Sequence, residues 1–313
     1  TLTTNAVVEG IGAPVCALVV GLSETQVTKS GLGEIIDDNL IIRLAGGHDA
    51  SGRQVAPLDV ASATAAILAH KDKVSAFSVS AQFGVRNPSH EIQLQNLVTE
   101  LTQMPVTCGH ELATSLGAPR RALTASVNAR MIPFIQDLIQ AVQNILQQLN
   151  IQAPLMIVKG DGSIVNAETA LVHPVTTILS GPAASVIGAC ALSGSRNAII
   201  ADMGGTTTDI AIVTDGQPEL ANEGARVGDW QPMVETVKVY SIGLGGDSEV
   251  RFYGGSIALG PRRVVPMSLL AQQHPQVLER MQAHLDDTPT ARHNRFVTRL
   301  EHNQALINQL TPI

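Results

Sequence analysis

Residues 199–213 read IIADMGGTTTDIAIV, in which a turn rich in glycine and threonine separates two apolar segments. The segments 197–202 and 209–214 are short and apolar, so they predict two strands joined by that turn. Glycines let backbone amides approach an anion closely, and successive amides form an anion-binding concavity. The flanking carboxylates Asp202 and Asp209 would repel a bare phosphate but suit a hydrated Mg²⁺ that bridges phosphates. The run therefore favours a metal–phosphate site over the alternative, a β-hairpin that merely turns the chain.

Two more glycine segments flank this hairpin at 180–189 (SGPAASVIGA) and 242–248 (IGLGGDS). Together the three segments resemble the hydantoinase A/5-oxoprolinase family, within the actin/Hsp70/sugar-kinase ATPase superfamily. Weaker similarities lie at 3–6 (TTNA), at 87–91 (NPSHE) and around Arg121 with 124–129. The resemblance therefore runs from residue 1 to about residue 266.

The resemblance implies a fold, a reaction and cofactors. The fold is α/β, a partial actin-like ATPase (ribonuclease H-like) fold with a preceding α/β region. The reaction is the ATP-dependent opening of a cyclic amide, such as a hydantoin or 5-oxoproline, through phosphorylation of its carbonyl oxygen, with ATP and Mg²⁺ as cofactors. The alternatives are a subunit of an ATP-dependent ketone carboxylase of the same fold and a nucleotide-binding module without turnover.

The resemblance also implies roles for individual residues. Asp202 is expected to orient metal-bound water or act as a base, and Asp209 to contact the metal through water. The predicted nucleotide contacts are the turn residues Gly204, Gly205, Thr206 and Thr207, followed by Gly243, Gly245 and Gly246. The superfamily's first phosphate loop has no counterpart near the start, which together with the missing Met predicts a piece of a longer protein. Asp247 stands where the family commonly has a third glycine.

Composition limits the function classes. The chain has 313 residues, of which 44% are hydrophobic and 15% charged, so a folded chain of about two domains is expected. A net charge of −7 and an aromatic content of 3% argue against nucleic-acid binding. No apolar run is long enough to span a membrane, and Cys16, Cys108 and Cys190 form no CxxC pair. We therefore expect a cytoplasmic protein. The resemblance, and not the composition, implies a cyclic amide substrate and a second subunit of hydantoinase B type, and we also expect a homo-oligomer.

Apolar patterning predicts the organisation of the chain. Predicted strands at 13–21, 34–44, 74–81 and 105–108 alternate with predicted helices, the pattern of a mostly parallel sheet. The helices are expected at 59–70, with Asp59 as N-cap, at 87–101, and at 121–149, where Pro133 marks either a kink or a break. Three regions follow: an N-terminal α/β region (1–120), an ATPase domain (121–266) and a C-terminal helical segment (267–313).

Some charged residues outside these motifs remain open. His90 and Glu91 are interpreted as a helix cap rather than a functional pair, since no HExxH motif follows. His110 and Glu111 could form a substrate-side pair, although a surface or hydrogen-bonded structural histidine is favoured. Arg120 and Arg121 are expected to be exposed rather than to bind an anion. A metal site among His284, His293 and His302 is not expected, because their spacing does not repeat on one helix face.

Overall fold

The computed structural model describes Thr4, Ala6 and residues 10–224, 226–227, 230–253, 255–277 and 279. The chain divides into two compact units, one formed by Thr1–Arg196 with Thr214–Lys238 and the other by Asn197–Val213 with Val239–Ile313. Thr3, Asn5 and the three C-terminal histidines lie outside the described residues, as does most of the predicted segment 267–313. The region boundaries at residues 120 and 266 stay predictions.

A four-stranded parallel sheet forms the centre of the first unit. Its order is β2-β1-β3-β4, and every neighbouring pair is parallel. The strands are β1 (Val15–Val20), β2 (Ile41–Leu44), β3 (Ala76–Ala81) and β4 (Val106–Cys108). All side chains of β1 and β3 are buried, as expected for parallel strands covered on both faces. The predicted α/β class with a parallel sheet is thereby confirmed.

Helices connect these strands in the predicted alternation. They span Glu24–Lys29, Val60–His70, Ser89–Thr102 and Gly109–Leu112, and Ala118–Gln148 follows as a long helix. The Asp59 side chain accepts a hydrogen bond from the Ser62 backbone N–H at 3.0 Å, so its predicted capping role is confirmed. The chain passes from β1 to β2 on one side, then crosses to β3 on the other. The strand order therefore reverses between β1 and β3.

One local prediction needs correction, and one alternative that the sequence left open is decided. The predicted strand 34–44 is reduced to Ile41–Leu44, because the preceding residues form 3₁₀ turns at Leu32–Glu34 and Asp38–Leu40. Asp and Asn are poor strand residues, which accounts for the turn just before β2. The helix does not break at Pro133, since Ala118–Gln148 is continuous through it. Met131 and Ile135 are buried on either side of the proline, so packing outweighs the lost backbone hydrogen bond.

The long helix also carries a second hydrophobic core of the first unit. Leu123, Val127 and Met131 pack there with Val175 and Ile178. The hairpin of β5 (Met156–Val158) and β6 (Ile164–Asn166) follows the helix. The remaining elements of this unit are the helices Ala167–Val172 and Ser180–Ser193, the 3₁₀ turn Pro174–Thr177, and the short strands β9 (Gln217–Pro218), β10 (Leu220–Ala221) and β11 (Thr236–Val237). Helix Ser180–Ser193 begins shortly after that 3₁₀ turn.

An antiparallel sheet of order β12-β8-β7 organises the second unit. It contains the predicted hairpin strands β7 (Ala198–Met203) and β8 (Thr208–Thr214), with β12 (Val239–Ile242) on the other side of β8. A second hairpin pairs β13 (Ser248–Tyr253) with β14 (Ser256–Arg263), and helix Met267–Gln273 follows. The turns joining these strands bring two of the glycine motifs of the sequence, at 204–205 and 245–247, together.

Within the described residues, no helix has both the length and the apolar content that crossing a bilayer requires.

Candidate functional site

The two predicted metal-binding aspartates face each other across the β7–β8 hairpin. The register pairs Asp202 directly with Asp209, so both side chains lie on the same face of the sheet, and Asp202 is exposed. Like charges in directly opposed positions destabilise a strand pair. Asp209 in turn accepts a hydrogen bond from the hydroxyl of Ser241, its partner on β12, at 2.5 Å. Two carboxylates in directly opposed strand positions offer oxygen ligands of the kind that a divalent cation prefers.

The turn between these strands, residues 204–207, exposes backbone amides. The Gly204 N–H donates to the Thr207 carbonyl at 2.9 Å and closes the turn. In the described part of the chain, the amides of Gly205 and Thr206 have no hydrogen-bond acceptor. All four residues of the turn are exposed, and the two threonines add hydroxyl donors. Consecutive unused amides next to hydroxyl groups have the chemistry of a phosphate-binding loop.

The glycine turn after β12 packs directly against this loop. The Gly246 N–H donates to the Gly204 carbonyl at 2.9 Å, and the Asp247 N–H donates to the Gly205 carbonyl at 2.8 Å. A Cβ on Gly245 would overlap the Gly205 carbonyl and lie 2.6 Å from the Thr206 nitrogen. Glycine is therefore required at position 245 for the two backbone segments to meet. The carbonyls of Gly204 and Gly205 accept the hydrogen bonds of this contact, whereas the amides of Gly205 and Thr206 take no part in it.

The three predicted glycines of this turn differ in their surroundings. A Cβ on Gly243 would meet nothing within 4 Å, and one on Gly246 would lie 3.8 Å from the Gly204 carbonyl. Packing within the chain thus requires glycine at position 245, whereas Gly246 contributes through its backbone N–H. The expected nucleotide contacts of all three glycines stay predictions.

The sequence did not identify the role of Asp247. This residue is 9% exposed, and its carboxylate accepts a short hydrogen bond from Arg263. A Cβ on Gly205 would lie 3.0 Å from the same carboxylate, so the Asp247 side chain packs against the loop at Gly205. The only signal was its position within the GLGGDS run, where it replaces a common glycine. The sequence did not identify Thr208 either. This residue is buried, and its hydroxyl donates to the Leu244 carbonyl at 2.6 Å.

In the first unit, a buried polar network lies at the carboxyl end of the parallel sheet. Glu91 is fully buried and accepts from the Ala81 N–H at 2.7 Å and from the His110 N–H at 2.9 Å. Its carboxylate also accepts from Nδ1 of the His110 ring at 2.7 Å. This hydrogen bond raises the pKa of His110 above its usual value, although burial opposes the rise. The favoured interpretation of His110, a hydrogen-bonded histidine, is confirmed.

Arg121 completes this network from the long helix. The side chain is 1% exposed, and its Nη2 donates to the Ala81 carbonyl at 3.0 Å, while Nη1 donates to the Ser115 carbonyl at 3.1 Å. The expectation that Arg121 is an exposed arginine is therefore wrong. Its burial follows from the apolar and small residues that surround it on the helix, which press this helix turn against β3. The backbone of Ala81 is thus held at both ends, because its N–H donates to Glu91 and its carbonyl accepts from Arg121.

The helix-cap interpretation of His90 and Glu91 is also wrong. Both are buried, and neither side chain bonds to the first turn of helix Ser89–Thr102. Instead, Nδ1 of His90 accepts from the Gly47 N–H at 3.1 Å, which fixes the glycine turn after β2. The His90 and His48 rings lie in contact in a tilted arrangement, with centroids 4.4 Å apart and an interplanar angle of 41°. Burial, with a smaller effect from His48, lowers the pKa of His90, so the His90 ring favours the neutral state.

Glu91, Cys108 and His110 also have the composition of a metal site, with potential ligand atoms within 4.8 Å of one another. The Glu91 carboxylate, however, already accepts three hydrogen bonds from backbone and ring N–H groups. Burial and, secondarily, the Glu91 charge raise the pKa of the Cys108 thiol far above its usual value, so it stays protonated. The donor chemistry of this trio therefore does not fit a metal ion.

An open cleft of about 390 Å³ lies elsewhere in the first unit. Its charged lining includes Glu111 and Arg120, which the sequence singled out, and Lys159 with Asp161. Lys159 Nζ donates to the Asp161 carboxylate at 2.8 Å. Burial alone would raise the pKa of Asp161, but hydrogen bonds from Lys159 and Ser163 outweigh it and hold the pKa below the usual value. The cleft thus has charged groups of both signs in its lining.

Two family models cover most of the sequence. The model for the hydantoinase/oxoprolinase N-terminal region matches residues 1–102, and the hydantoinase/oxoprolinase model matches residues 121–271. The chain belongs to the hydantoinase/oxoprolinase family. The predicted recognition from the three glycine segments is confirmed, and these hydantoinase/oxoprolinase matches contain all nine predicted site residues.

Known relatives of this hydantoinase/oxoprolinase chain differ in reaction. It is 31% identical over 221 residues to the caprolactamase subunit alpha of Pseudomonas jessenii, covering 67% of this chain and 31% of that one. It is 25% identical over 240 residues to the acetophenone carboxylase gamma subunit of Aromatoleum aromaticum, covering 73% and 32%. The chain thus spans about a third of the length of these relatives.

A solved structure shows the same fold. The crystal structure of the ATP-dependent caprolactamase from Pseudomonas jessenii matches with a TM-score of 0.71 at 26% identity, over 84% of this chain and 41% of that one. This likeness agrees with the predicted fold, which is consistent with the actin-like ATPase type.

Proposed function

We propose that this chain carries the nucleotide-binding part of an ATP-dependent hydrolase that opens a cyclic amide, of the hydantoin, 5-oxoproline or lactam type. The observation that carries the proposal is the paired carboxylates Asp202 and Asp209 beside a loop with unused amides. The similarity to an ATP-dependent caprolactamase supports the choice of substrate class.

The residues of the second unit fit Mg²⁺ and the phosphates of ATP. The facing carboxylates offer the oxygen ligands that Mg²⁺ prefers. Asp209 already accepts from Ser241, which suits contact through a metal-bound water, while Asp202 stays free to orient a water or accept a proton. The Gly205 and Thr206 amides, with the Thr206 and Thr207 hydroxyls, would bind phosphate oxygens. Gly243, Gly245 and Gly246 would keep the neighbouring backbone close to the nucleotide.

Bound ATP would supply the phosphoryl group that converts the amide carbonyl oxygen into a leaving group, which an amide otherwise lacks. The part of this chain in that reaction is electrostatic. Fixed amide dipoles stabilise charge on phosphate oxygens without reorganising, because the glycine turn already holds the loop carbonyls away from the site. We further propose that the enzyme works in the cytoplasm with a second subunit of hydantoinase B type, and that it assembles as a homo-oligomer. The subunit names of the two relatives support the need for a partner chain.

A second candidate is a subunit of an ATP-dependent ketone carboxylase. The similarity to the acetophenone carboxylase gamma subunit favours it, since that match covers slightly more of this chain than the caprolactamase match does. The phosphate loop would serve either reaction in the same way. The two differ in whether bicarbonate or a cyclic amide stimulates ATP turnover.

The test begins with calorimetry of Mg·ATP binding to this chain and to two isosteric variants, Asp202→Asn and Asp72→Asn. Asp72 is an exposed aspartate of the first unit and serves as the control. Binding that Asp202→Asn abolishes and Asp72→Asn preserves supports the site, whereas an absence of binding contradicts it. ATP turnover is then measured with hydantoin, 5-oxoproline or ε-caprolactam, with and without a hydantoinase B-type chain. Stimulation by bicarbonate instead would favour the carboxylase, and binding without turnover would favour the nucleotide-binding module.

A further inference from the structure

A charged pair lies beside the loop of residues 204–207, and the proposed function does not use it. The carboxylate of Asp247 accepts a short hydrogen bond from Nη2 of Arg263. Asp247 directly precedes β13, and Arg263 is the last residue of β14. The register of the β13–β14 hairpin places Arg263 opposite Ser248, the residue after Asp247. The hairpin therefore returns the chain to the glycine turn and brings the arginine to the carboxylate.

The backbone fixes the Asp247 carboxylate against the loop. The Asp247 N–H donates to the Gly205 carbonyl at 2.8 Å, and the Asp247 carbonyl accepts from the Val264 N–H at 2.7 Å. The two carboxylate oxygens lie 3.0 and 3.4 Å from the position that a Cβ on Gly205 would take. Asp247 as a whole is largely buried. Its negative charge therefore stays next to the loop.

A carboxylate at this place opposes the binding of phosphate. A phosphate oxygen bound by the Gly205 amide would lie within about 9 Å of the Asp247 carboxylate, counted in bond lengths and one hydrogen bond from the Cβ position. At that distance the repulsion between two single charges weakens binding by about 3- to 20-fold, depending on screening by salt. One Mg²⁺ carries two positive charges, which balance only Asp202 and Asp209. A third carboxylate beside the phosphates requires a further cation.

Arg263 has the properties of that cation. Its side chain is 58% exposed, and in the part of the chain that the structure describes its guanidinium bonds to Asp247 alone. The pair carries no net charge beside the loop, whereas the carboxylate alone would be negative. The neighbouring Arg262 differs, because it pairs with Glu249 at 2.7 Å, and Glu249 has a second arginine, Arg251, at 3.4 Å.

We propose that Arg263 is a positioning residue of the nucleotide site, which acts through Asp247. It offsets the charge of the Asp247 carboxylate, so that the amides of Gly205 and Thr206 can take up a phosphate group. This inference rests on the proposed function for the nucleotide, and it adds a residue of the β13–β14 hairpin to the site. It also makes a specific statement about Asp247: without the arginine, this carboxylate weakens nucleotide binding.

Calorimetry of Mg·ATP binding to the full chain and three variants tests this coupling. Arg263→Gln should weaken binding about 3- to 20-fold, because it leaves the Asp247 charge uncompensated. Adding Asp247→Asn to that variant removes this charge and should restore the affinity to within about twofold of the unmodified chain. Arg262→Gln is the matched control, since it removes the same charge from the adjacent position while Glu249 keeps Arg251. Its affinity should change less than about twofold.

Two further measurements separate an effect of charge from an effect on structure. The weakening by Arg263→Gln should shrink as the salt concentration rises from about 50 to 500 mM, because salt screens the repulsion. Hydrogen exchange of the amides of residues 246 and 247 without nucleotide should be the same in Arg263→Gln as in the unmodified chain. These amides bond to loop carbonyls and not to the arginine.

The possible failures of this inference differ from those of the proposed function. Unchanged affinity in Arg263→Gln, equal weakening by Arg262→Gln, or a double variant as weak as Arg263→Gln would each overturn the inference and leave the nucleotide site standing. A weakening that salt does not reduce, or faster exchange in Arg263→Gln, would do the same by showing that the arginine only holds the loop in place. An unmodified chain that binds no Mg·ATP would overturn both. Circular dichroism confirms that the variants are folded.

Discussion

Gly245→Ala tests the contact on which the candidate nucleotide site depends. The added methyl group would overlap the Gly205 carbonyl and lie 2.6 Å from the Thr206 nitrogen, and both are backbone atoms that cannot swing away. The glycine turn must therefore move off the loop. That movement breaks the hydrogen bonds from the Gly246 N–H to the Gly204 carbonyl and from the Asp247 N–H to the Gly205 carbonyl.

The magnitude follows from these contacts. The two hydrogen bonds contribute about 1 kcal/mol each, so their loss costs about 2 kcal/mol. Relief of the overlap by backbone movement adds about 1–3 kcal/mol. A total of about 3 kcal/mol or more corresponds to an increase of about 100-fold in the opening of the loop–turn contact, since each 1.4 kcal/mol is about tenfold. Mg·ATP affinity should fall by at least about tenfold.

Hydrogen exchange without nucleotide measures this opening directly. The amides of residues 246 and 247 should exchange much faster in Gly245→Ala than in the unmodified chain. Gly243→Ala is a matched control for exchange, because a Cβ at that position meets nothing within 4 Å. Unchanged exchange in Gly245→Ala, or equal acceleration in Gly243→Ala, would refute the argument that backbone approach at position 245 holds the loop.

Three other predictions use the charged residues. Asp202→Asn removes one of two facing carboxylates, so the unfolding temperature without Mg²⁺ should rise or stay unchanged. Mg²⁺ should raise the unfolding temperature of the unmodified chain but not that of the variant, and a rise in the variant as well would contradict the metal assignment. Glu91→Gln replaces an acceptor of three hydrogen bonds by a group with one acceptor oxygen, and should lower the free energy of unfolding by about 2–4 kcal/mol in urea titrations. The control Glu24→Gln removes only an exposed ion pair with Arg43, and should lower it by less than about 0.5 kcal/mol. Glu91 raises the pKa of His110 in the folded protein, so the stability that His110 contributes is complete below its unfolded pKa and is lost as the pH rises through its folded pKa. This decline in the free energy of unfolding should disappear in His110→Asn. An equal decline in the variant and in the unmodified chain would show that another group is responsible.

Sequence alone predicted the features that depend on neighbouring residues. The hairpin of β7 and β8 follows from two apolar runs around a glycine–threonine turn, and the Asp59 cap follows from its place just before an alanine-rich segment. The same reasoning failed at 34–44, where the isoleucines suggested one strand, because it gave too little weight to the Asp37–Asn39 run. The local sequence pattern is informative where the structure of a segment depends only on residues of the same helix, strand or turn.

The buried network of the first unit could not be predicted in this way. Glu91 bonds to Ala81 and His110, and Arg121 bonds to Ala81, so each contact joins residues from different elements. A charged residue is exposed by default, and only the packing of the long helix against β3 buries Arg121. Whether such residues are buried depends on contacts between elements that are distant in sequence, so the sequence pattern alone does not predict it.

The way these charges are buried also explains why Arg121 is held in one position. Glu91 and Arg121 do not bond to each other. Glu91 accepts from the Ala81 N–H, whereas Arg121 donates through Nη2 to the Ala81 carbonyl and through Nη1 to the Ser115 carbonyl. Removing either charged group would leave the other buried without an opposite charge nearby, which costs about 3–5 kcal/mol. The geometry of Arg121 is therefore fixed by its burial together with Glu91 and not by a direct ion pair.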